Sequence, residues 1–264
     1  MLRTVEITRY VTPLREGSSL PALVEADDGA AYVIKFRGAG HGAKALIAEL
    51  VTGEIGRALG LPVPELVLAT LPEAIARAES HDEIRDLLGW SLGLNIGLAF
   101  IPGALGPDLA RPPAEGPDWA AEVVWFDSFT VNPDRTPRNP NLVVQGGRTW
   151  LIDHGSALYV HHAWTDPDEH ATRGFERIAD HVLLPVAGSI TEADARLAER
   201  LDSSIVDTIL AAIPDSWLSD ERFDGPDAER AAYRRYLARR LSARPTWVAE
   251  AERARREVQR GAVA

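Results

Sequence analysis

Two polar loops in this 264-residue chain carry side chains that could act together on a phosphate ester. Asp134 and Asn139 lie five residues apart in a stretch marked by prolines, and Asp153 follows the short apolar strand-like run 150–152. Phosphoryl transfer from a nucleotide needs such groups, because one carboxylate orients the attacking hydroxyl while an amide oxygen and a second carboxylate hold magnesium against the phosphates. The two loops therefore predict a nucleotide-dependent phosphotransferase site.

Each loop taken alone also has a purely structural interpretation. Asp, Asn and Pro are common in turns, since they bond or fix the nearby backbone, and an acid before a glycine suits the end of a strand. The order along the chain is what favours catalysis: Lys35 in a predicted strand, an acid on the next helix, the loop from Asp134 to Asn139, and then Asp153. Kinase active sites present their functional groups in this order.

Lysine is scarce in this chain, which makes its two positions informative. Of the 28 lysines and arginines only Lys35 and Lys44 are lysines. A retained lysine marks a place where a compact ammonium is needed and a planar guanidinium does not fit. We interpret Lys35, in the strand-like run 31–36, as the cation that reaches the α- and β-phosphates. For Lys44, near a predicted helix start, chance retention on the surface is an equally good explanation.

Lys35 needs a carboxylate partner that holds its ammonium in place, and the following helix offers Glu49 and Glu54. The two acids are five positions apart and cannot face the same way at 3.6 residues per turn. Glu49 lies closer to the apolar face of the predicted helix, so we prefer it as the partner.

Two further segments could complete a nucleotide site. Gly17, Ser18 and Ser19 lie between two predicted strands and could offer backbone N–H groups to phosphate oxygens. A tight turn explains them equally well, and they do not form a GxGxxG loop. The region that begins at Phe100 and Ile101 is predicted to bridge the two halves of the molecule, so that an adenine base would rest on its backbone.

The first part of the chain is predicted to be rich in strands and the rest to be mostly helical. Prolines and glycines are dense from Pro102 to Pro117, which places the boundary there. The sequence thus predicts an α+β fold of two lobes, a β-rich N-lobe at residues 1–103 and a mostly helical C-lobe at residues 104–264. The predicted strands are residues 3–12, 21–25, 31–36, 66–70 and 95–101, and the predicted helices are residues 43–59, 72–78, 119–129, 176–184, 191–213 and 228–260, the last of them interrupted at Pro245.

The composition is that of an acidic globular protein. A net charge of −11 and a pI of about 5.1 argue against nucleic acid or an anionic membrane as the main partner. The absence of cysteine excludes disulfides and thiolate chemistry. No run approaches the length of a membrane span, and the first residues lack the apolar core of a signal peptide. We expect a cytoplasmic enzyme.

Four stretches together resemble the HipA-like kinases, in a compact form without the additional N-terminal module of the toxin. The resemblance implies a protein-kinase-like fold, ATP and Mg²⁺, and transfer of the γ-phosphoryl group to a hydroxyl, with a serine or threonine of a protein as the favoured acceptor. By this resemblance Asp134 is the catalytic base, Asn139 and Asp153 are the magnesium ligands, and Lys35 is the phosphate-binding lysine paired with Glu49. The matching stretches are Tyr32–Phe36, Glu49–Pro64, Asp134–Leu142 and Ile152–Gly155.

The chain departs from related loops at two places. Thr136 stands where the D-R-H-x-x-N loops of phosphatidylinositol kinases have a histidine, so no role of that histidine carries over. The stretch Gly17–Ser19 also differs from the phosphate loop of the toxin. The identity of the acceptor and an antitoxin-like partner do not follow from the resemblance.

Two other classes of function stay open at this point. The histidines and acids between residues 153 and 170 could form the metal cluster of a hydrolase, with His154, His161, His162 and His170 as ligands beside Asp153, Asp166 and Asp168. Alternatively, the fold could bind a nucleotide without catalysis and serve as an interaction module. A site without activity need not keep Lys35, Asp134, Asn139 and Asp153 in this order, which argues against the second alternative.

Overall fold

The computed structural model of the chain describes residues 2–14 and 20–261. Its strands are β1 (Arg3–Pro13), β2 (Ala22–Ala26), β3 (Ala31–Lys35), β4 (Leu66–Leu71), β5 (Gly93–Ala99), β6 (Leu142–Gln145) and β7 (Arg148–Leu151). Its α-helices are α1 (Ala43–Ala58), α2 (Glu73–Ala78), α3 (Asp82–Trp90), α4 (Pro117–Thr130), α5 (Pro167–Thr172), α6 (Ile190–Leu197), α7 (Ser203–Ala211), α8 (Pro226–Ser242) and α9 (Arg244–Gly261). Single 3₁₀ turns lie at Tyr159–His162, Glu176–Asp180, Ala198–Arg200 and Asp215–Trp217.

Five strands close into a small barrel in the order β1-β2-β3-β5-β4. Neighbouring strands run antiparallel except β1 and β4, which are parallel. Because β3 is paired on both sides, its last residue, Lys35, is fixed in register with Ile96 of β5. The barrel thus gives the lysine a rigid backbone position.

Alternating side chains of the strands fill the barrel, as the period of a half-buried strand requires. Val24 of β2, together with Tyr32 and Ile34 of β3, is buried in this interior. Gly97 of β5 faces the same space, and a Cβ atom there would lie 2.9 Å from side-chain atoms of both Ile34 and Val67. The close approach of the strands therefore needs a glycine at position 97.

The helical part is organised around α4, which is buried on almost every side because apolar side chains occupy most of its faces. Pro117 occupies its first turn, where the missing N–H costs nothing. The helix ends at Thr130, and the next residue, Val131, adopts a left-handed conformation with φ 54°. This ending sets the direction in which the loop that contains Asp134 leaves the core.

Helix α1 belongs to the same apolar cluster as α4, although it lies between strands of the barrel in sequence. Leu46, Leu50 and Ile55 of α1 pack in one cluster with Phe126 of α4 and with residues of the later helices. The barrel interior forms a separate cluster. Helix α1 is therefore anchored to the helical part of the molecule.

The predicted order of a strand-rich first part and a helical second part is confirmed. The expected interruption at Pro245 is also present, since α8 ends at Ser242 and α9 begins at Arg244. The helix predicted over 191–213 is wrong as one element, because Asp202 caps a new helix by accepting a hydrogen bond from the N–H of Ile205 at 2.9 Å. The β6–β7 hairpin and helix α3 were not predicted as whole elements.

Within residues 2–14 and 20–261, no helix combines the length and the apolar character needed to cross a bilayer.

Candidate active site

Lys35 lies at the centre of a buried cluster that joins three distant parts of the chain. Its Nζ donates to Glu49 Oε2 of α1 at 2.5 Å and also contacts Asp153 Oδ1. The lysine is 6% exposed and Glu49 is fully buried, whereas the Asp153 side chain keeps 40% of its surface exposed. Glu54, the other acid considered for this role, pairs instead with Arg57 on its own helix.

Lys35 and Glu49 both stay ionised at neutral pH. Burial acts to lower the pKa of Lys35, but the charges of Glu49 and Asp153 outweigh it and raise that pKa above its usual value. For Glu49, burial alone would raise the pKa, yet the Lys35 charge and hydrogen bonding to His154 lower it to about 2. The ammonium is thus charged and is oriented by groups of the protein alone.

Glu49 also fixes the segment that follows β7. The backbone N–H of His154 donates to Glu49 Oε2 at 2.8 Å, and the ring Nδ1 lies 3.3 Å from Glu49 Oε1. Asp153 adopts a left-handed conformation with φ 57°, which Asp tolerates better than most residues. The Glu49 carboxylate therefore positions both Lys35 and the backbone next to Asp153. The sequence did not predict that His154 would be a partner of Glu49.

Asp134 is held by amide side chains on both sides of it in the chain. Its backbone N–H donates to Asn132 Oδ1 at 3.1 Å, and its carbonyl accepts from Asn141 Nδ2 at 2.8 Å. The Asp134 carboxylate is half-buried, and Ser156 Oγ lies 3.4 Å from its Oδ2. Since Ser156 follows Asp153 by three residues, this contact brings the loop of Asp134 against the segment of Asp153.

A buried ion cluster braces the loop from beneath. Arg135 Nε donates to Asp127 Oδ2 of α4 at 2.6 Å, His181 Nε2 lies 2.9 Å from the same oxygen, and Asn132 Nδ2 donates to Asp127 Oδ1 at 3.0 Å. Burial acts to raise the pKa of Asp127, but the Arg135 charge and the His181 contact hold it below its usual range. Arg135 therefore supports the loop and does not face a ligand.

Asn139 lies at the exposed tip of the same loop. Asn139 and Thr136 exchange two backbone hydrogen bonds, of 3.0 and 3.1 Å, and Thr136 Oγ1 lies 3.3 Å from the Asn139 nitrogen. Thr136, at the position of the histidine in related loops, thus closes this turn. The Asn139 side-chain amide makes no hydrogen bond to residues 2–14 or 20–261.

The oxygen atoms of Asp153 and Asn139 fit the preferences of Mg²⁺. This ion takes hard oxygen ligands, commonly one or two protein groups together with substrate phosphates and waters. One oxygen of Asp153 contacts Lys35, and the side chain still reaches solvent. Asn139 adds an exposed amide oxygen on the neighbouring loop.

The histidine-rich stretch does not form a metal centre in the described part of the chain, where no three His, Asp or Glu side chains are placed to hold an ion. His161 Nδ1 lies 3.0 Å from the hydroxyl of Tyr233, and His170 Nδ1 lies 2.9 Å from that of Tyr236. These rings pack against helix α8, so the hydrolase alternative has no structural support.

Two further segments were predicted to bind the nucleotide, one at Gly17–Ser19 and one at Phe100 and Ile101. Gly17, Ser18 and Ser19 lie outside the described residues. Phe100 and Ile101 follow β5 directly, and the N–H of Phe100 donates to the Ala31 carbonyl at 3.0 Å. This N–H is therefore engaged with the barrel, and an adenine base would have to use other backbone groups of the segment.

The segment beyond Ile101 joins the barrel to the β6–β7 hairpin. Leu105 and Val144 exchange backbone hydrogen bonds of 3.0 and 2.8 Å. The stretch that was predicted to bridge the two halves thus runs from β5 to the hairpin whose second strand leads to Asp153.

Lys44 also has a defined place, which the sequence left open. Its Nζ donates to Asp220 Oδ2 at 2.8 Å and to the carbonyl of His161 at 2.5 Å. Arg222 donates to Asp220 as well, and to the carbonyls of His162 and Ala163. The first turn of α1 is therefore tied to the segment that follows Asp153.

Comparison with known proteins identifies the family and the fold. Residues 5–247 match the model of a family described as HipA-like kinase. The fold is similar to that of the Helicobacter pylori proinflammatory kinase CtkA, with a TM-score of 0.62 and 13% identity over 97% of this chain and 98% of that one. A Golgi casein kinase with Mn and ADP bound is more distant, with a TM-score of 0.48 and 11% identity over 95% of this chain and 73% of that one. No curated protein matches the chain in sequence.

Proposed function

This chain belongs to the HipA-like kinase family, and we propose that it transfers the γ-phosphoryl group of ATP to a hydroxyl, with serine or threonine of a protein as the acceptor. The observation that carries the proposal is the contact of Lys35 with both Glu49 and Asp153, residues separated from it by 14 and 118 positions. A buried lysine that reaches a second, partly exposed carboxylate is arranged to meet phosphates and their metal ion.

The nucleotide would lie between the predicted lobes, residues 1–103 and 104–264. Lys35 would bind the α- and β-phosphates, and Glu49 would keep its ammonium in position. Adenine would rest on the backbone near Phe100 and Ile101. Since Lys35 is held before the nucleotide arrives, no free energy of ATP binding is used to order it.

Asp134 is the proposed base for the transfer step. It accepts the proton of the acceptor hydroxyl as the hydroxyl oxygen bonds to the γ-phosphorus, while the bond from that phosphorus to the β,γ-bridging oxygen breaks and ADP leaves. The amides of Asn132 and Asn141 hold the Asp134 backbone, so the carboxylate needs little reorganisation.

Asn139 and Asp153 would hold Mg²⁺, which supplies positive charge to the phosphate oxygens when it is bound. The protein contributes the two oxygen ligands and, through Lys35, a second positive centre nearby. Asp153 is oriented by the contact with Lys35 and by the backbone bond between His154 and Glu49.

The test is ATP consumption by Asp134→Ala and Asp153→Ala. We expect each variant to lose about 100- to 10,000-fold in turnover, the range typical for a positioned base or a metal ligand. Both residues lie on partly exposed loops, so the variants should keep wild-type circular dichroism. Asp86→Ala, at an exposed position of α3, is the matched control and should consume ATP like wild type.

Wild-type turnover in both loop variants would refute the site assignment. The class of acceptor is tested separately by mass spectrometry of proteins incubated with the kinase and ATP. Phosphate found on serine or threonine supports the proposal. Phosphate found only on lipids or metabolites would show that the acceptor is not a protein.

A further inference from the structure

A cavity of about 580 Å³ opens beside the loop that carries Asp134. On one side it is lined by Val131 and Pro133, the latter directly preceding the proposed base. On the other side it is lined by Tyr159 and by Arg173 and Arg177, all from the segment that follows Asp153. The cavity therefore adjoins the loop of the proposed base, between Pro133 and the segment that follows Asp153.

The lining holds three arginines against two glutamates. Arg173 and Arg177 are exposed, and within residues 2–14 and 20–261 neither has a carboxylate within 4.0 Å. Arg240 at the back is buried; it donates to backbone carbonyls, among them that of Arg173 at 2.6 Å, and its guanidinium lies over the ring of Trp247. Burial lowers the pKa of Arg240 to about 10, which leaves it charged at neutral pH.

The acids of the lining offset this charge only in part. Glu250 pairs with Arg253 at 3.0 Å, and Glu176 is exposed. His170 adds no charge, because burial and the charges of Arg173 and Arg240 lower its pKa to about 4. In a chain of net charge −11 this is a local excess of cations beside the proposed base.

We infer that the cavity is a subsite for an anionic group of the acceptor protein, a carboxylate or a phosphate carried by a residue near the accepting hydroxyl. This inference rests on the proposed function. Arginine presents two N–H groups in a fork that matches either anion. An extended segment advances about 3.3 Å per residue, so an anion in a cavity bounded by Pro133 belongs to a residue within a few positions of the hydroxyl at Asp134.

The inference is tested with serine peptides in which Glu, phosphoserine, Ala or Arg is fixed at each position around the acceptor. The readout is the rate of phosphoryl transfer from labelled ATP, expressed as the ratio of each peptide to its Ala counterpart. We expect Glu or phosphoserine to be favoured about tenfold at one or two positions, the effect of one charge-assisted hydrogen bond. The two anionic peptides distinguish a carboxylate from a phosphate as the occupant.

The double variant R173E/R177E should abolish or reverse this preference, whereas R235E/R239E should keep it. Arg235 and Arg239 are exposed on α8 and do not line the cavity, and their replacement changes the net charge by the same amount. Ratios taken within one variant cancel any change in its basal rate. An unaltered preference in R173E/R177E, or no anionic preference in wild type, would overturn the inference.

A binding measurement separates this inference from the proposed function. Calorimetric titration with the anionic peptides, their acceptor serine replaced by alanine, needs no catalysis. Binding that is weakened in R173E/R177E alone supports the subsite even if ATP turnover fails. Equal binding to all three proteins, or none to wild type, rejects the subsite even if ATP is consumed with Asp134 as the base.

Discussion

Lys35 is the residue on which the others in the site depend. It is buried between two acids, and its two contacts fix the relative positions of β3, α1 and the segment after β7. Taking an ammonium and a carboxylate out of water is costly, and the cost is offset only when both are well paired. The removal of Lys35 or Glu49, the two buried members, should therefore affect stability as well as activity.

Lys35→Met should destabilise the protein by about 3 kcal/mol at pH 7, because Glu49 is left charged and buried. In wild type the Glu49 pKa is lowered from 4.5 to about 2, so its contribution to stability is present above pH 4.5 and is lost as the pH falls toward 2. In the variant the folded-state pKa should lie above the unfolded value, which reverses the sign. Urea unfolding should then show that the variant gains stability from pH 7 to pH 5. A difference in unfolding free energy from wild type that stays constant over this range would contradict this account.

Helix α1 owes its position to two attachments of different kinds. Its apolar face packs into the cluster around α4, and its first turn is held by Lys44 through Asp220 and the carbonyl of His161. Hydrogen bonds from Arg222 and Lys44 hold the pKa of Asp220 below its usual range although burial opposes them. The Lys44–Asp220 pair thus holds the start of the helix that carries Glu49, the partner of Lys35.

Asp220→Asn should loosen this end of α1, although Asp220 is not itself one of the proposed site residues. We expect a loss of about 2 kcal/mol in stability, as for a hydrogen bond between charged groups, and a higher KM for ATP. Asp215→Asn is a suitable control. Asp215 pairs with Arg230, but its side chain is 75% exposed, and exposed ion pairs contribute about 0–1 kcal/mol. Equal behaviour of the two variants would show that the pair does not position α1.

The sequence predicted those strands and helices that follow from local hydrophobic periodicity and from the order of residues along the chain. The strand of Lys35 and the helix of Glu49 lie close in the chain, so periodicity could place them and limit the choice of partner to Glu49 or Glu54. The division of 191–213 was also visible in principle, since Asp202 caps α7 and Ser189 caps α6 with Glu192 at the third helical position.

The contacts that brace the site could not be predicted from sequence. Lys44 and Asp220 are 176 residues apart, and Asp127 meets His181 from 54 residues away. Each of these polar side chains is of a type that commonly lies on the surface, and only tertiary packing removes them from water. The roles of Asp134 and Asn139 depend on a bound nucleotide and remain predictions.

Over the whole molecule, the apolar core crosses the predicted boundary between the lobes. Leu66 of β4, Ile96 of β5 and the apolar residues of α1 belong to the cluster that surrounds α4. Residues 104–264 expressed alone would expose the faces that these side chains cover, at about 25 cal/mol for each Å² of apolar surface.

We therefore expect that residues 104–264 do not fold alone and that the full chain unfolds in one step. Circular dichroism of the fragment should show little tertiary signal in the near ultraviolet, and the urea transitions of the full chain followed by fluorescence and by circular dichroism should coincide. A fragment with a cooperative transition of its own would show instead that the two parts are independent.

The scarcity of lysine has a practical consequence. Apart from the amino terminus, the chain has only two primary amines, and both hold α1 in place. Acylating reagents that modify amines therefore act as footprinting probes of this one helix, and peptide mapping after such labelling would report on its attachment without an engineered tag or dye.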